Sequence, residues 1–341
     1  MTLGDAFPGD PSTMFLGTYT SSQGGQNSGI EVLRIDTDGL VSGQLASAPA
    51  DNPSFLAFAG RTIVAVSETS PGWLLSWNWE NGALEPRSKV PSGGDQPCHV
   101  IAKGNHLVAV NYDGAVCSSF ALSIDGVIEP LHQKTLDGGG SGHSPRQRSS
   151  HLHSTANLNI DNRALVADLG SDRLVEIDVG GEGIIVTRRE VSFGLGSGPR
   201  HIAFADNHVF VLCEIDQTLH CLDLPDYRRV SATARQDRPG ALASHLEVDP
   251  ARSLVYTAIR GADVMRVYRF DDDYTLHLLQ EVACGGTWPR HFALSGNRLF
   301  VANQMSSSIA VFLLDPFTGL IADLLQVYAV ASPACIVLQP S

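Results

Sequence analysis

The chain has 341 residues, 43% of them hydrophobic, enough to bury a large core. Its net charge of −13 excludes general nucleic-acid binding, which needs a basic surface, so any anion site must be built locally from a few arginines. No apolar run approaches the ~20 residues that span a membrane, the start lacks the pattern of a secretory signal, and the six cysteines show no CxxC spacing; together these predict a cytoplasmic chain with reduced thiols and no membrane partner.

Residues 1–13 read as a tail and 14–341 as one domain. The domain opens with three short strands, "MFLGTYT", "GIEVLRID" and "LVSGQLAS". A repeat then begins. Its anchor is Phe55, His99, His153, His201, His245, His291 and finally Cys335, spaced 44 to 54 residues apart and usually two residues after a proline, as in "QPCH", "GPRH" and "WPRH". Each anchor starts an apolar strand, a turn such as "DNH" or "SGNR", and a second strand such as "HLVAVNY", "HVFVLCE" or "RLFVANQ". Two further strands usually follow. Four short strands per repeat of this length predict propeller blades, and apolar residues at successive positions fit strands sandwiched between neighbouring blades. The lone C-terminal strand "CIVLQ" completes the three N-terminal ones in a composite blade, giving an all-β, seven-bladed β-propeller with a closed ring. No amphipathic helix of ten residues separates the strands, which excludes a doubly wound α/β fold.

In a blade, the start of the first strand and the end of the antiparallel second strand lie at the same end of the channel. That end receives the anchors and a second column, Glu68, Tyr112, Asp168, Glu214, Arg260 and Gln304. The recurring prolines and histidines suit structural work, with His99, His245 and His291 read as satisfied interior histidines. The residues that break the repeat carry more information. Arg200 and Arg290 precede their anchors where other blades have Ser, Cys, Leu or Ala, and with Arg260 and Glu214 they gather at one mouth. Guanidinium forks suit a phosphate or carboxylate, and Glu214 among them suits a general base, although a purely structural ion-pair network has the same composition.

The longest interval contains a Gly/Ser-rich loop, Leu136 to Ser150, which carries Arg146 and Gln147 to that mouth as a lid or as plain surface chain. "HLH" follows: His151 and His153 point the same way on a strand and suit hydrogen bonding or proton transfer to a substrate, no further ligand cluster being present for a metal. His201, Asp168, His151, Arg146, Gln147 and Arg290 are the expected substrate contacts. The glycine runs lack a strand-to-helix setting for phosphate, and there is no GxSxG elbow or Walker sequence. No cofactor is expected.

"GTYT", "NPSFL", "PCH" before "VAVNYDG", "HLHS", "DLGSD", "GPRH", and "WPRHF" before "VANQ" resemble, in combination, the seven-bladed propeller lactonases. That family includes bacterial 6-phosphogluconolactonases and fungal 3-carboxy-cis,cis-muconate lactonizing enzymes. The resemblance implies a site of one histidine, two arginines and a glutamate, matching His153, Arg200, Arg260 and Glu214 as catalytic residues. It implies hydrolysis of a sugar lactone, foremost 6-phospho-D-glucono-1,5-lactone, with a small anionic substrate as partner. The lactone-forming muconate reaction and a non-catalytic binding scaffold stay open as alternatives. Cys213, Ile259 and Ser150 depart from the family pattern, in which asparagine, asparagine and proline are usual.

Overall fold

The computed structural model describes residues 13–339 apart from 159, 161 and 237. Seven four-stranded antiparallel sheets form the ring. The expected tail lies outside the described residues except for Thr13, which already belongs to the first strand, Thr13–Thr18. That strand pairs with the C-terminal strand Pro333–Leu338, through Met14 with Leu338 and Leu16 with Ile336, so the composite blade closes the ring. Blades are numbered here by their inner strands: Phe55–Ala59, Asp95–Lys103, Leu152–Asn157, Pro199–Ala205, Leu242–Asp249, Pro289–Ser295 and Pro333–Leu338 are the inner strands of blades 1 to 7.

An apolar cluster fills each of the seven blade junctions. Between blades 1 and 2, for example, Val64, Val66 and Leu74 meet Val100, Leu107, Ala109 and Phe120. Second strands such as Thr62–Ser67 are buried on both faces, whereas the outermost strands are half exposed. This is why the second strands lack alternation. No helix of the described residues is long and apolar enough to cross a membrane.

The x-Pro signature has a backbone cause. Asn52, Gln96, Gly198, Trp288 and Ser332, each just before the proline, hold φ of 42°, 53°, 66°, 65° and 46°. In six blades the register then slips at the start of the inner strand, with a β-bulge that leaves one or two residues unpaired. A bulge re-aims a side chain, here into the channel mouth. Blades 3 and 5, which lack the proline, reach the same bulge without that turn.

Candidate active site

The bulge residues are Cys98, His153, Arg200, Ser244, Arg290 and Ala334, and Ser54 takes the same place in blade 1. Six of these seven line a small pocket at the channel mouth. One layer deeper, Phe55, His99, His201, His245 and His291 form an aromatic floor, with ring centroids 3.7 to 6.3 Å apart. Phe55 and His201 approach from nearly opposite blades, so the floor closes the pocket from below. His99 and His291 accept backbone N–H groups from Thr155 and Ile336 of the following blades at 3.5 and 3.4 Å. His201 and His245 bond each other through Nδ1 at 3.0 Å.

Above the cavity lies a rim made by the residues that follow the second strands. The pairing corrects two assignments in blade 3. Leu152 pairs with Asp168 as Pro199 pairs with Cys213, so His153 shares the bulge position of Arg200, and Leu169 occupies the position of Glu214. His153 therefore belongs to the mouth and not to the floor, where Ser154 stands. Asp168 sits one step inside the rim, paired with Leu152. It is fully buried, accepts bonds from Ser150 Oγ, His151 N, Ser171 N and Arg173 Nε at 2.8 to 3.1 Å, and so anchors the loop.

Gln147 also departs from the expected substrate contact. It is fully buried, and its amide donates to Leu169 O at 2.9 Å and Asp172 Oδ1 at 2.7 Å. Asp172, not singled out from sequence, extends this support by accepting Gly196 N and Gly198 N, which ties the loop to the start of blade 4. The loop is thus folded onto the mouth, with Ser141 N bonded to Gly170 O and Gly138 N to Ser150 Oγ. It delivers Arg146, whose guanidinium bonds Glu214 Oε1 and, at 3.0 Å, the Tyr112 hydroxyl. His151 stacks on Tyr112 at 4.2 Å, and its Nδ1 contacts Tyr112 O at 3.0 Å.

Glu214 is the hub. Its carboxylate is fully buried, with Arg200 Nε at 2.7 Å and Arg260 Nη2 at 3.0 Å from Oε2, and His153 Nε2 at 3.9 Å from the same oxygen. Both guanidiniums thus hold Oε2 as ion-pair partners at close range. Backbone carbonyls fix both arginines: Arg200 donates to Ser244 O and Arg260 to Ala243 O at 3.2 Å. Burial and the neighbouring guanidiniums push Arg200 and Arg260 well below the usual arginine range, though a guanidinium in such a place stays charged. Burial, reinforced by Arg200 and Arg146, pulls His153 well below the usual histidine value, so it is neutral at neutral pH.

The opposite wall has its own carboxylate. Tyr19, the rim residue of blade 7, donates to Glu68 Oε2 at 2.7 Å and accepts from Arg290, which also lies over its ring at 4.7 Å. Burial opposes the charge on Arg290, but Tyr19 and Glu68 outweigh it and raise its pKa. Sequence reasoning passed over Tyr19 because the composite blade has no anchor preceding it; the signal was its place just after the strand that ends in "GT". Arg146, Arg200, Arg260 and Arg290 therefore share the mouth with the carboxylates of Glu214 and Glu68 and, on the exposed side beside His151, Asp113, a surplus of positive charge that favours an anionic ligand. Among the described residues no group of three His, Cys, Asp or Glu side chains is arranged to hold a metal.

A family model described as lactonase, 7-bladed beta-propeller, matches residues 13–338. The chain belongs to this lactonase family. Among its relatives, the 6-phosphogluconolactonase of Bacillus subtilis (strain 168) is 25% identical over 94% of this chain and 97% of that protein. A 6-phosphogluconolactonase of Formosa agariphila is 26% identical over 92% and 95%. In structure, the periplasmic gluconolactonase of Pseudomonas aeruginosa superimposes with a TM-score of 0.88 at 26% identity, covering 96% of this chain and 99% of that one.

Proposed function

We propose that this lactonase hydrolyses an anionic sugar lactone, 6-phospho-D-glucono-1,5-lactone, to 6-phosphogluconate. The observation that carries this reading is a buried carboxylate, Glu214, beside a neutral His153 and inside a cluster of guanidiniums richer in charge than the carboxylates they face. The names of its relatives, 6-phosphogluconolactonase and gluconolactonase, support the reaction type.

Arg146, 41% exposed, is the one member of the Glu214 cluster that reaches solvent. An entering lactone carbonyl draws it off Glu214 Oε1, which frees the carboxylate to take a proton from water as that water adds to the carbonyl carbon. Arg146 and Arg260 then face the oxyanion, an arrangement worth a few kcal/mol of barrier per donor. Collapse breaks the bond to the ring oxygen, which receives its proton from Glu214 or through His153, whose neutral ring both accepts and donates. Arg200, committed to Glu214 and Ser244 O, positions the base; Arg290, half-buried and open to the cavity, holds the phosphate. His201, in the floor, bounds the pocket from below.

We read the chain as cytoplasmic, a reading supported by six buried cysteines that are all unpaired. The test is a pair of assays: 6-phosphogluconate release from freshly made phosphogluconolactone above its spontaneous rate, and ultraviolet loss of 3-carboxymuconate. Turnover in the first alone is expected. Turnover in the second alone would move the protein to the lactone-forming reaction, and turnover in neither would leave a binding scaffold.

A further inference from the structure

Glu68 lies on blade 1, across the ring from Glu214 on blade 4, and the mechanism above does not use it. Its Oε2 is taken by the Tyr19 hydroxyl, while Oε1 has no protein partner among the described residues. The side chain is partly exposed at the mouth, but it is not loose. Tyr19 is buried and held by Arg290, and two amides, Gln23 and Gln96, bond each other at 2.9 Å beside the Glu68 backbone, where Gln23 also reaches Glu68 O at 3.4 Å. A carboxylate fixed in this way is an acceptor only. It pairs well with hydroxyl donors and repels further carboxylates.

We propose that Glu68, held by Tyr19, is a specificity-determining residue that reads the hydroxyl groups of the substrate and so selects polyhydroxylated lactones over bare or polycarboxylated ones. This rests on the lactonase reading and extends it to substrate class. Arg290 beside it attracts one anionic group, and Glu68 requires hydrogen-bond donors on the carbon skeleton next to that group. A tricarboxylate would bring a like charge against Glu68, whereas a sugar acid lactone brings hydroxyls.

The experiment compares D-glucono-1,5-lactone with δ-valerolactone, the same six-membered ring without hydroxyls, in the wild type, Glu68→Gln and Tyr19→Phe. Loss of a charge-assisted hydrogen bond lowers kcat/KM about ten- to a hundredfold. The expected result is a ratio of kcat/KM, hydroxylated over bare lactone, that falls at least tenfold in Glu68→Gln and moves the same way, by less, in Tyr19→Phe. An unchanged ratio in folded variants, whether both rates fall together or neither falls, overturns the proposal; Tyr19→Phe preserves the ring and serves if Glu68→Gln does not fold. Should the wild type hydrolyse neither of these unphosphorylated lactones, the lactonase reading is judged separately, by 6-phosphogluconate release from the phosphorylated lactone. Calorimetry with D-gluconate and pentanoate then decides: selective loss of gluconate affinity in Glu68→Gln supports the subsite, and equal affinities refute it.

Discussion

Acidification from pH 7.5 to 5.5 is expected to destabilise this propeller through its channel. His99, His153, His201, His245 and His291 are all buried with pKa values pulled down, first by burial, His245 to about 3. In the unfolded chain each titrates near the ordinary value of about 6.5. The unfolded state therefore takes up protons over this range while the folded state does not, so the stability present above pH 6.5 is lost as pH falls. The linkage integral is on the order of 1 kcal/mol per histidine between these two pH values. His220, off the channel and lowered to about 4 by burial, adds a similar amount. Glu247, raised to about 8 by burial, works in the opposite direction and returns roughly 2 to 3 kcal/mol. Urea unfolding at the two pH values should thus show a net loss of several kcal/mol. His291→Gln, which keeps an acceptor for Ile336 N, should lower the loss by about 1 kcal/mol. A loss below about 1 kcal/mol, or an unchanged loss in His291→Gln, would refute the assignment of neutral channel histidines.

Three further outcomes follow from the site. Because His153 is held neutral, kcat/KM between pH 6 and 8 should show no limb with a midpoint near 6.5, and a tenfold fall through that value would contradict its environment. Arg290→Ala should raise KM for the phosphorylated lactone about ten- to a hundredfold, the worth of a charge-assisted bond, and change KM for the unphosphorylated one much less; equal effects would remove Arg290 from the phosphate site. Asp168→Asn breaks a buried pair with Arg173 and should cost about 3–5 kcal/mol. It should also expose Arg146 and Arg148 to trypsin, and unchanged thermal stability and cleavage would show that Asp168 does not anchor the loop.

The blade count and ring closure were legible because the repeat is long and each blade needs the same turn and apolar strands. The mouth was legible in part. Arg200, Arg260, Arg290 and Glu214 stood out because nothing in the blade requires them. Blade 3 misled by one position: without the proline, "HLH" offers two histidines as anchor, and only pairing with Asp168 shows that His153 is the bulged residue. Asp168 and Gln147 looked like mouth residues by spacing, yet both turn inward to hold the loop, a choice set by packing against Arg173 and Asp172. Tyr19 and Glu68 became visible as a pair only when the N-terminal strand took its place beside blade 1.

The central claim, a Glu214-based lactonase site at the channel mouth, is tested most directly by the initial rate of 6-phosphogluconate formation in the wild type and in Glu214→Gln, with spontaneous hydrolysis subtracted. The account predicts a wild-type rate well above background and a fall of about 10²- to 10⁴-fold in the folded variant, the range for removing a general base. A variant that retains the wild-type rate would contradict it.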